Sequence, residues 1–392
     1  MQHYCAKFVN CTASKILSTS TTICIDCRYL HDRPSGIAEC VRALVDNLPT
    51  LASELRFLFL KNPRFPGRLS DAPNVQEITV KAAANGPATA WWLPRIVDLS
   101  GIDLYHSPAN ILPRGLDIPS VTTVHDIMWL NQPHWCNSHV AGIVDRLFYS
   151  SGLRHALRRS TAIATVSEAS KAEIVRHDLA PADRVHVTRN GVATQFRPTS
   201  KGPSTLQHLG LGPDARYILT VGQNAPYKNH PVAIHAFHQA FADRPDIHMI
   251  LIQRRQSANT LRPLITKLGL TDRVHTPGTI DAEELIALYG SAQALLHPSL
   301  CEGFGNPLVE AMACGCPVIT SDRSAMPEVT GGAALLVDPE DCGSIATALR
   351  SIVNQPDKAA AMKAAGLERA KAFDWREFAN ANLAIYRNVL EG

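Results

Sequence analysis

The stretch His297–Asp322, HPSLCEGFGNPLVEAMACGCPVITSD, decides how this chain is read. It begins at the end of the apolar run Ala294–Leu296, which predicts a buried strand, and passes through the glycine-containing turn Glu302-Gly303-Phe304-Gly305. A short helix is expected next, with Asn306 able to cap it, Pro307 suited to its first turn and Gly315 permissive enough to end it. The apolar run Pro317–Thr320 then predicts a second strand. Two acids lie inside this unit. Glu310 sits between Leu308-Val309 and Ala311-Met312 on a helix with almost no polar face, so its carboxylate is expected to be poorly hydrated and to need donors. Sugar or ribose hydroxyls would supply them, and so would the N–H groups of a neighbouring helix. Glu302 stands just before the helix N-terminus, where amides and the positive dipole end favour a phosphate or an oxygen-rich sugar. The plain alternative for both acids is an ordinary cap or ion-pair partner.

Working outward, apolar runs alternate with helical segments from Thr22 onward, a pattern that argues for parallel sheets covered on both faces. The first run, Thr22–Cys27, leads into a loop, Arg28–Ser35, and then a helix opening at Gly36. Open α/β sheets place ligands at such strand ends, so Ser35-Gly36 is a candidate site, with a simple tight turn as the alternative. Val121–Ile127 ends in His125-Asp126, a polar pair on an otherwise apolar strand; Asp126 could equally orient a structural histidine. Trp129 and Trp135 follow, either as a wall of a ligand site or as packing anchors. The helix expected over Val140–Ser160 carries Arg146, Arg154, Arg158 and Arg159. They read as a solvated face, with contact to an anionic lipid-linked acceptor or membrane leaflet as the weaker alternative.

Asn190–Gly212 is rich in turn formers and predicts a domain boundary, with Asn190-Gly191 as a sharp turn and a hinge that could close two domains over a ligand. The alternation restarts at Tyr217–Val221, followed by Gly222-Gln223-Asn224-Ala225-Pro226-Tyr227-Lys228. A glycine-bearing turn ending in lysine suits a diphosphate, because amides approach closely and the ammonium adds a point charge. Solvent decoration is the alternative for Lys228.

A chain of 392 residues exceeds one ordinary core, and 45% hydrophobic with 19% charged residues is a globular balance. The net charge of +3 is too small to argue for nucleic acid but suits anionic substrates. No apolar run approaches the roughly 18 residues of a membrane span. The first twenty residues lack the continuous apolar core of a signal peptide. Ten cysteines form no framework, and Cys24 with Cys27 is a C-x-x-C without a second pair, so reduced thiols of a cytosolic protein are expected. There is no GxGxxG fingerprint, which argues against a Rossmann dehydrogenase.

Glu302, seven intervening residues and Glu310, in this frame, closely resemble the signature of glycosyltransferase family 4, and Thr165–Ser170, TVSEAS, is also similar. The likeness runs from about Ile23 to the C-terminus. It implies an α/β GT-B fold, two Rossmann-like domains with parallel sheets facing a central cleft. Residues 21–200 would form the acceptor-side domain and 201–373 the nucleotide-sugar domain, with 1–20 a loose extension and 374–392 a helix crossing back. The resemblance further implies retaining, metal-independent transfer of a hexosyl unit from a nucleotide sugar to a carbohydrate or lipid-linked acceptor. His125, Glu302 and Lys228 would act on the donor sugar and its diphosphate. Ser35, Gly36, Gly222, Gln223, Gly303, Phe304, Gly305 and Glu310 would bind the donor, Glu310 through the ribose.

Many relatives carry an arginine where this chain has Gln223, and Arg254 or Arg255 is the expected substitute. No Asp-x-Asp motif calls for a divalent ion, and no cofactor is implied. Family breadth favours GDP-mannose, then a UDP-hexose, a bacterial surface-polysaccharide acceptor and a cytoplasmic protein, with peripheral contact to the inner membrane face if the acceptor is lipid-linked. Alternatives are a non-catalytic GT-B scaffold or a nucleotide-sugar hydrolase or epimerase.

Overall fold

A computed structural model describes residues 21–31, 35–136, 142–253 and 260–392. The expectations for residues 1–20 and for Arg254 and Arg255 fall outside them. Thirteen short strands build two sheets among the described residues. The first contains β1 (Thr22–Asp26), β2 (Arg56–Lys61), β3 (Val75–Thr79), β4 (Leu104–Ser107), β5 (Ser120–Val124), β6 (Ala162–Thr165) and β7 (Val185–Val187). The second contains β8 (Arg216–Val221), β9 (Ile247–Ile252), β10 (Val274–Gly278), β11 (Ala294–His297), β12 (Val318–Ser321) and β13 (Ala334–Val337). Every pairing is parallel. The reason is in the residues: runs such as IHMILI and SVTTV are buried on both faces, and only helices on both sides can cover such strands.

Strand order is β3-β2-β1-β4-β5-β6-β7 in the first sheet and β10-β9-β8-β11-β12-β13 in the second. In each, the order reverses once, between β1 and β4 and between β8 and β11. Loops leaving the strands at these reversals splay apart and open a crevice at the carboxyl ends. The polar residues singled out above lie around these crevices.

The C-terminal helix Trp375–Glu391 returns to the first sheet, as expected. Its Phe378, Leu383 and Tyr386 join the core formed by Ile23, Val41, Leu44 and Phe57. Tyr386 Oη lies 2.6 Å from His106 Nδ1, and His106 Nε2 lies 2.9 Å from Thr123 Oγ1, so this buried histidine is satisfied on both nitrogens. Gly191 is needed for a different reason than the sharp turn expected of Asn190-Gly191. A Cβ there would sit 2.2 Å from the Trp375 backbone nitrogen, so the two segments that join the halves pass in direct contact. Val192 N–H donates to Phe373 O at 3.2 Å beside it.

The end of β1 and the loop after it also carry a buried ion pair that the sequence does not announce. Arg28 donates through Nε and Nη2 to the two oxygens of Asp26 (2.8 and 2.6 Å), and through Nη1 to Ala82 O and Thr89 Oγ1. Removing one partner leaves the other charge unpaired in the core. Arg28→Met is therefore expected to destabilise the protein by about 3–5 kcal/mol, read by urea denaturation; a change within experimental scatter would refute this account.

Candidate functional site

Glu302 is the centre of the site. It is 9% exposed, and its Oε1 accepts from Lys228 Nζ at 2.6 Å and from His297 Nε2 at 2.9 Å. Burial alone would raise its pKa, but the Lys228 ammonium and the His297 bond outweigh that and hold it well below the usual carboxylate range. His297, at the end of β11, is pushed below the ordinary histidine value by burial and then by Lys228. It is a neutral donor here rather than an ion-pair partner. Ser299 Oγ lies 3.1 Å from the same ring nitrogen. Oε2 of Glu302 has no hydrogen-bond partner among the described residues, so one carboxylate oxygen remains for a ligand.

The backbone around this pair is held tightly. A Cβ on Gly222 would meet Lys228 Cε at 3.2 Å, so the glycine lets the lysine stem fold back over the turn. Asn229 takes the left-handed region (φ 58°), which asparagine tolerates, and donates through Nδ2 to Pro298 O and Pro339 O. Ser324, also left-handed (φ 56°), donates to Glu302 O at 2.7 Å. The strain at Ser324 accompanies a fixed Glu302 loop.

The first half of the chain meets this loop directly. A Cβ on Gly303 would lie 2.1 Å from His125 O, so the glycine is required by close approach. Ser167 Oγ donates to Gly303 O at 2.7 Å, and Ser170 Oγ lies 3.1 Å from His125 O and 3.3 Å from Gly303 O. His125 itself follows β5, which ends at Val124 rather than including the pair. Its N–H donates to Asn110 Oδ1, and its Nε2 lies 3.0 Å from Pro108 O. With Nε2–H donating to that carbonyl, the neutral ring presents Nδ1 as an acceptor. Burial lowers the His125 pKa and raises that of Asp126, whose Oδ1 accepts from Met128 N–H.

Several expectations need correction. The helix Asn306–Ala313 is capped by Gly305 (φ 95°), not by Asn306, whose Oδ1 accepts from Asn190 Nδ2 at 3.0 Å. The Phe304 side chain is turned into the core against Phe373 and does not line the cleft. Lys228 is not a bare point charge for a diphosphate, since its ammonium is shared with Glu302. Glu310 is half-buried, and the donor expected for it is Tyr289, whose Oη donates to its carboxylate at 3.0 Å. Gln223 Nε2 lies 3.3 Å from Tyr227 Oη. Ser35 caps the helix Gly36–Leu51 through Ala38 N–H, and a Cβ on Gly36 would meet Asn306 Nδ2 at 3.6 Å. The first residues of two helices, one from each half, thus come close together near the Glu302 side chain.

Sequence reading missed His297, Ser167, Ser170 and Glu328. Glu328 accepts from the Glu168 and Ala169 N–H groups at 3.1 Å each, and so caps a helix of the first half with a residue of the second. A histidine closing a buried strand five residues before Glu302 was the available signal for His297. Nothing local marks Glu328, because its partners lie about 160 positions away.

Buried neutral histidines give the region a defined acid response. His106 and His230 are lowered to about 3, chiefly by burial, whereas the unfolded chain protonates them near 6.5. The unfolded state binds more protons below that value, so their contribution is lost as pH falls from about 6.5 toward 3. Between pH 8 and pH 5 each should cost about 2 kcal/mol of stability, and His230→Asn should remove its share in urea denaturation at the two pH values. Equal pH slopes for variant and wild type would refute the buried neutral His230. Glu302, depressed instead of raised, stays ionised through this window and adds no loss above about pH 5.

Comparison with known proteins places this geometry. The family described as Glycosyltransferase Family 4 matches residues 34–196, and that described as Glycosyl transferases group 1 matches residues 204–369. The chain is 29% identical over 289 residues to O-antigen chain mannosyltransferase B of Escherichia coli, covering 72% of this chain and 74% of that protein. It is 30% identical over 237 residues to the MMP alpha-(1->4)-mannosyltransferase of Mycolicibacterium hassiacum, covering 59% of this chain and 55% of that protein. A D-inositol 3-phosphate glycosyltransferase of Thermobispora bispora is 33% identical over 239 residues, 58% of this chain and 55% of that one. The alignment thus spans little more than half the length of the last two. Among solved structures, sucrose-phosphate synthase from Thermosynechococcus elongatus superposes with a TM-score of 0.72 at 21% identity, over 94% of this chain and 98% of that one. Anabaena HepE in complex with UDP and glucose gives 0.69 at 19% identity, over 94% and 100%. At such identities these two speak for the fold. With two parallel sheets in this arrangement and both family matches in chain order, the chain belongs to the GT-B glycosyltransferases that join a family 4 unit to a group 1 unit.

Proposed function

We propose that this glycosyltransferase moves a hexosyl unit, with mannosyl favoured, from a nucleotide sugar to a carbohydrate or lipid-linked acceptor with retention of configuration. The observation that carries the proposal is the buried Glu302–Lys228–His297 cluster where the N-termini of the Gly36 and Asn306 helices meet. Positive helix ends close together suit a diphosphate. Glu302 Oε2 accepts hydroxyls of the donor sugar, and Lys228, held in place by Glu302, stabilises charge on the departing diphosphate. His125, oriented by Pro108 O, fixes the sugar through Nδ1. Glu310, with Tyr289 behind it, takes the ribose hydroxyls.

The acceptor oxygen attacks the anomeric carbon on the face from which the diphosphate leaves. The carbon–oxygen bond to the diphosphate breaks as the new glycosidic bond forms, and the acceptor proton passes to a diphosphate oxygen. The O-antigen mannosyltransferase names of relatives favour GDP-mannose and a bacterial surface polysaccharide, while the UDP complexes among structural neighbours keep a UDP-hexose next. No described helix is long and apolar enough to cross a membrane.

The test is binding and slow hydrolysis of GDP-, UDP- and dTDP-sugars by the purified protein, with and without EDTA. One donor should turn over saturably and independently of EDTA. Glu302→Gln and Lys228→Ala should each lower that rate by roughly 10²–10³-fold, the scale of losing one preorganised charge-stabilising group. Binding to none of the donors would overturn the transferase reading in favour of a non-catalytic scaffold. Full activity in Glu302→Gln would overturn the role given to that carboxylate.

A further inference from the structure

Two buried polar side chains at the carboxyl end of the second sheet have no part in the reading above. Gln253 follows directly on β9, whose last carbonyl, Ile252 O, accepts from Gly222 N–H, and His230 opens the helix His230–Ala240 just past Lys228. They are 3% and 2% exposed, and Gln253 Nε2 lies 3.0 Å from His230 Nδ1. Gln253 Oε1 is buried without a hydrogen-bond partner among the described residues. An orphaned amide oxygen destabilises a core, and a methionine would fill similar space without it. Packing therefore does not account for the glutamine. Its one bond does, because it fixes the plane and the tautomer of the His230 ring.

With the amide donating to Nδ1, the ring carries its proton on Nε2, which makes no hydrogen bond among the described residues. Burial first, then Lys228 and His297, lower the His230 pKa to about 3, so the ring is a neutral donor at pH 7. Those two neighbours are themselves members of the cluster around Glu302. That cluster has use for such a donor. Lys228 is shared with Glu302, so the pair presents no net charge to a diphosphate. Gln223, on the same turn, is uncharged and lies against Tyr227 Oη. A second buried cation next to Lys228 would repel it and be desolvated in turn. A neutral N–H at the positive end of a helix adds a directed bond to phosphate without either penalty.

We propose that His230, held by Gln253, donates its Nε2–H to the sugar-bearing phosphate of the nucleotide sugar and so supplements Lys228 as that phosphate departs. His230 touches the substrate, and Gln253 is a positioning residue that acts through it. This rests on the nucleotide-sugar reading above and deepens it.

The experiment is calorimetric titration of the full chain with GDP and UDP, and with GMP and UMP, which lack the phosphate in question. Wild type, His230→Asn, His230→Gln and Gln253→Met are compared, with urea denaturation as the check of folding. Asparagine keeps the position of Nδ1 but has nothing at Nε2, whereas glutamine can place an amide N–H there. His230→Asn should bind the preferred diphosphate at least about tenfold more weakly with monophosphate affinity kept, and His230→Gln should recover part of the loss. Gln253→Met should lose affinity in the same selective way while being no less stable than wild type, since an orphaned oxygen is gone. Unchanged diphosphate affinity in His230→Asn would overturn the proposal, as would parallel loss of mono- and diphosphates, which marks a structural role. His230→Gln as weak as His230→Asn would overturn the N–H donor, and Gln253→Met binding like wild type would overturn the part given to Gln253. Selective loss in a protein that hydrolyses no donor sugar would sink the transferase reading alone. Hydrolysis without selective loss would sink the role of His230 alone, and a wild type that binds none of the four nucleotides would sink both.

Discussion

A carboxylate that is nine-tenths buried stays ionised only if something nearby repays the water it has lost. At Glu302 that is the Lys228 ammonium at 2.6 Å, helped by a neutral His297. The dependence is mutual, because Lys228 folds back over Gly222 and is itself buried. Much of the surrounding architecture serves to keep these two groups in register. β8 delivers the lysine and β11 the glutamate from either side of a sheet reversal. Asn229 and Ser324, both in left-handed backbone, pin the two loops from behind.

The site does not end at the boundary of the second half. Gly303 lies against His125 O so closely that any side chain would push the two apart, and Ser167 and Ser170 bond to the carbonyls on both sides of that contact. Glu328 then fixes the helix that bears those serines. The orientation of His125 is thereby coupled to that of Glu302 through backbone and two hydroxyls, without any direct side-chain bond between them.

How much of this the sequence revealed follows from the range of each interaction. The alternating apolar runs made the parallel sheets and the two-part division readable, and the Glu302–Glu310 stretch marked its own turn, helix and following strand, because those depend on neighbours a few positions away. The same logic placed Ser35, Gly222 and His125 at strand ends. Readings failed where a residue's role depended on a distant partner. Asn306 looked like a cap because asparagine usually is one, but its oxygen is used by Asn190. Phe304 sat inside a donor motif, yet its ring belongs to the core with Phe373. Lys228 read as a free charge because its partner lies 74 positions away. Gly191 looked like a turn residue, and only the packed structure shows that Trp375 leaves it no room for a side chain.

That last contact has a mechanical meaning. The chain passes between the halves twice, once after β7 and once before the Trp375 helix, and the two passages touch at Gly191 and share the Val192–Phe373 hydrogen bond. Two tethers far apart would forbid rotation, and a single loose one would allow sliding in every direction. Two bound side by side behave as one door-post, about which the halves can swing while their separation at that edge stays constant. The Glu302 loop lies close to that post, with Phe304 packed on Phe373 and Asn306 bonded to Asn190, so its carboxylate is displaced little for a given rotation.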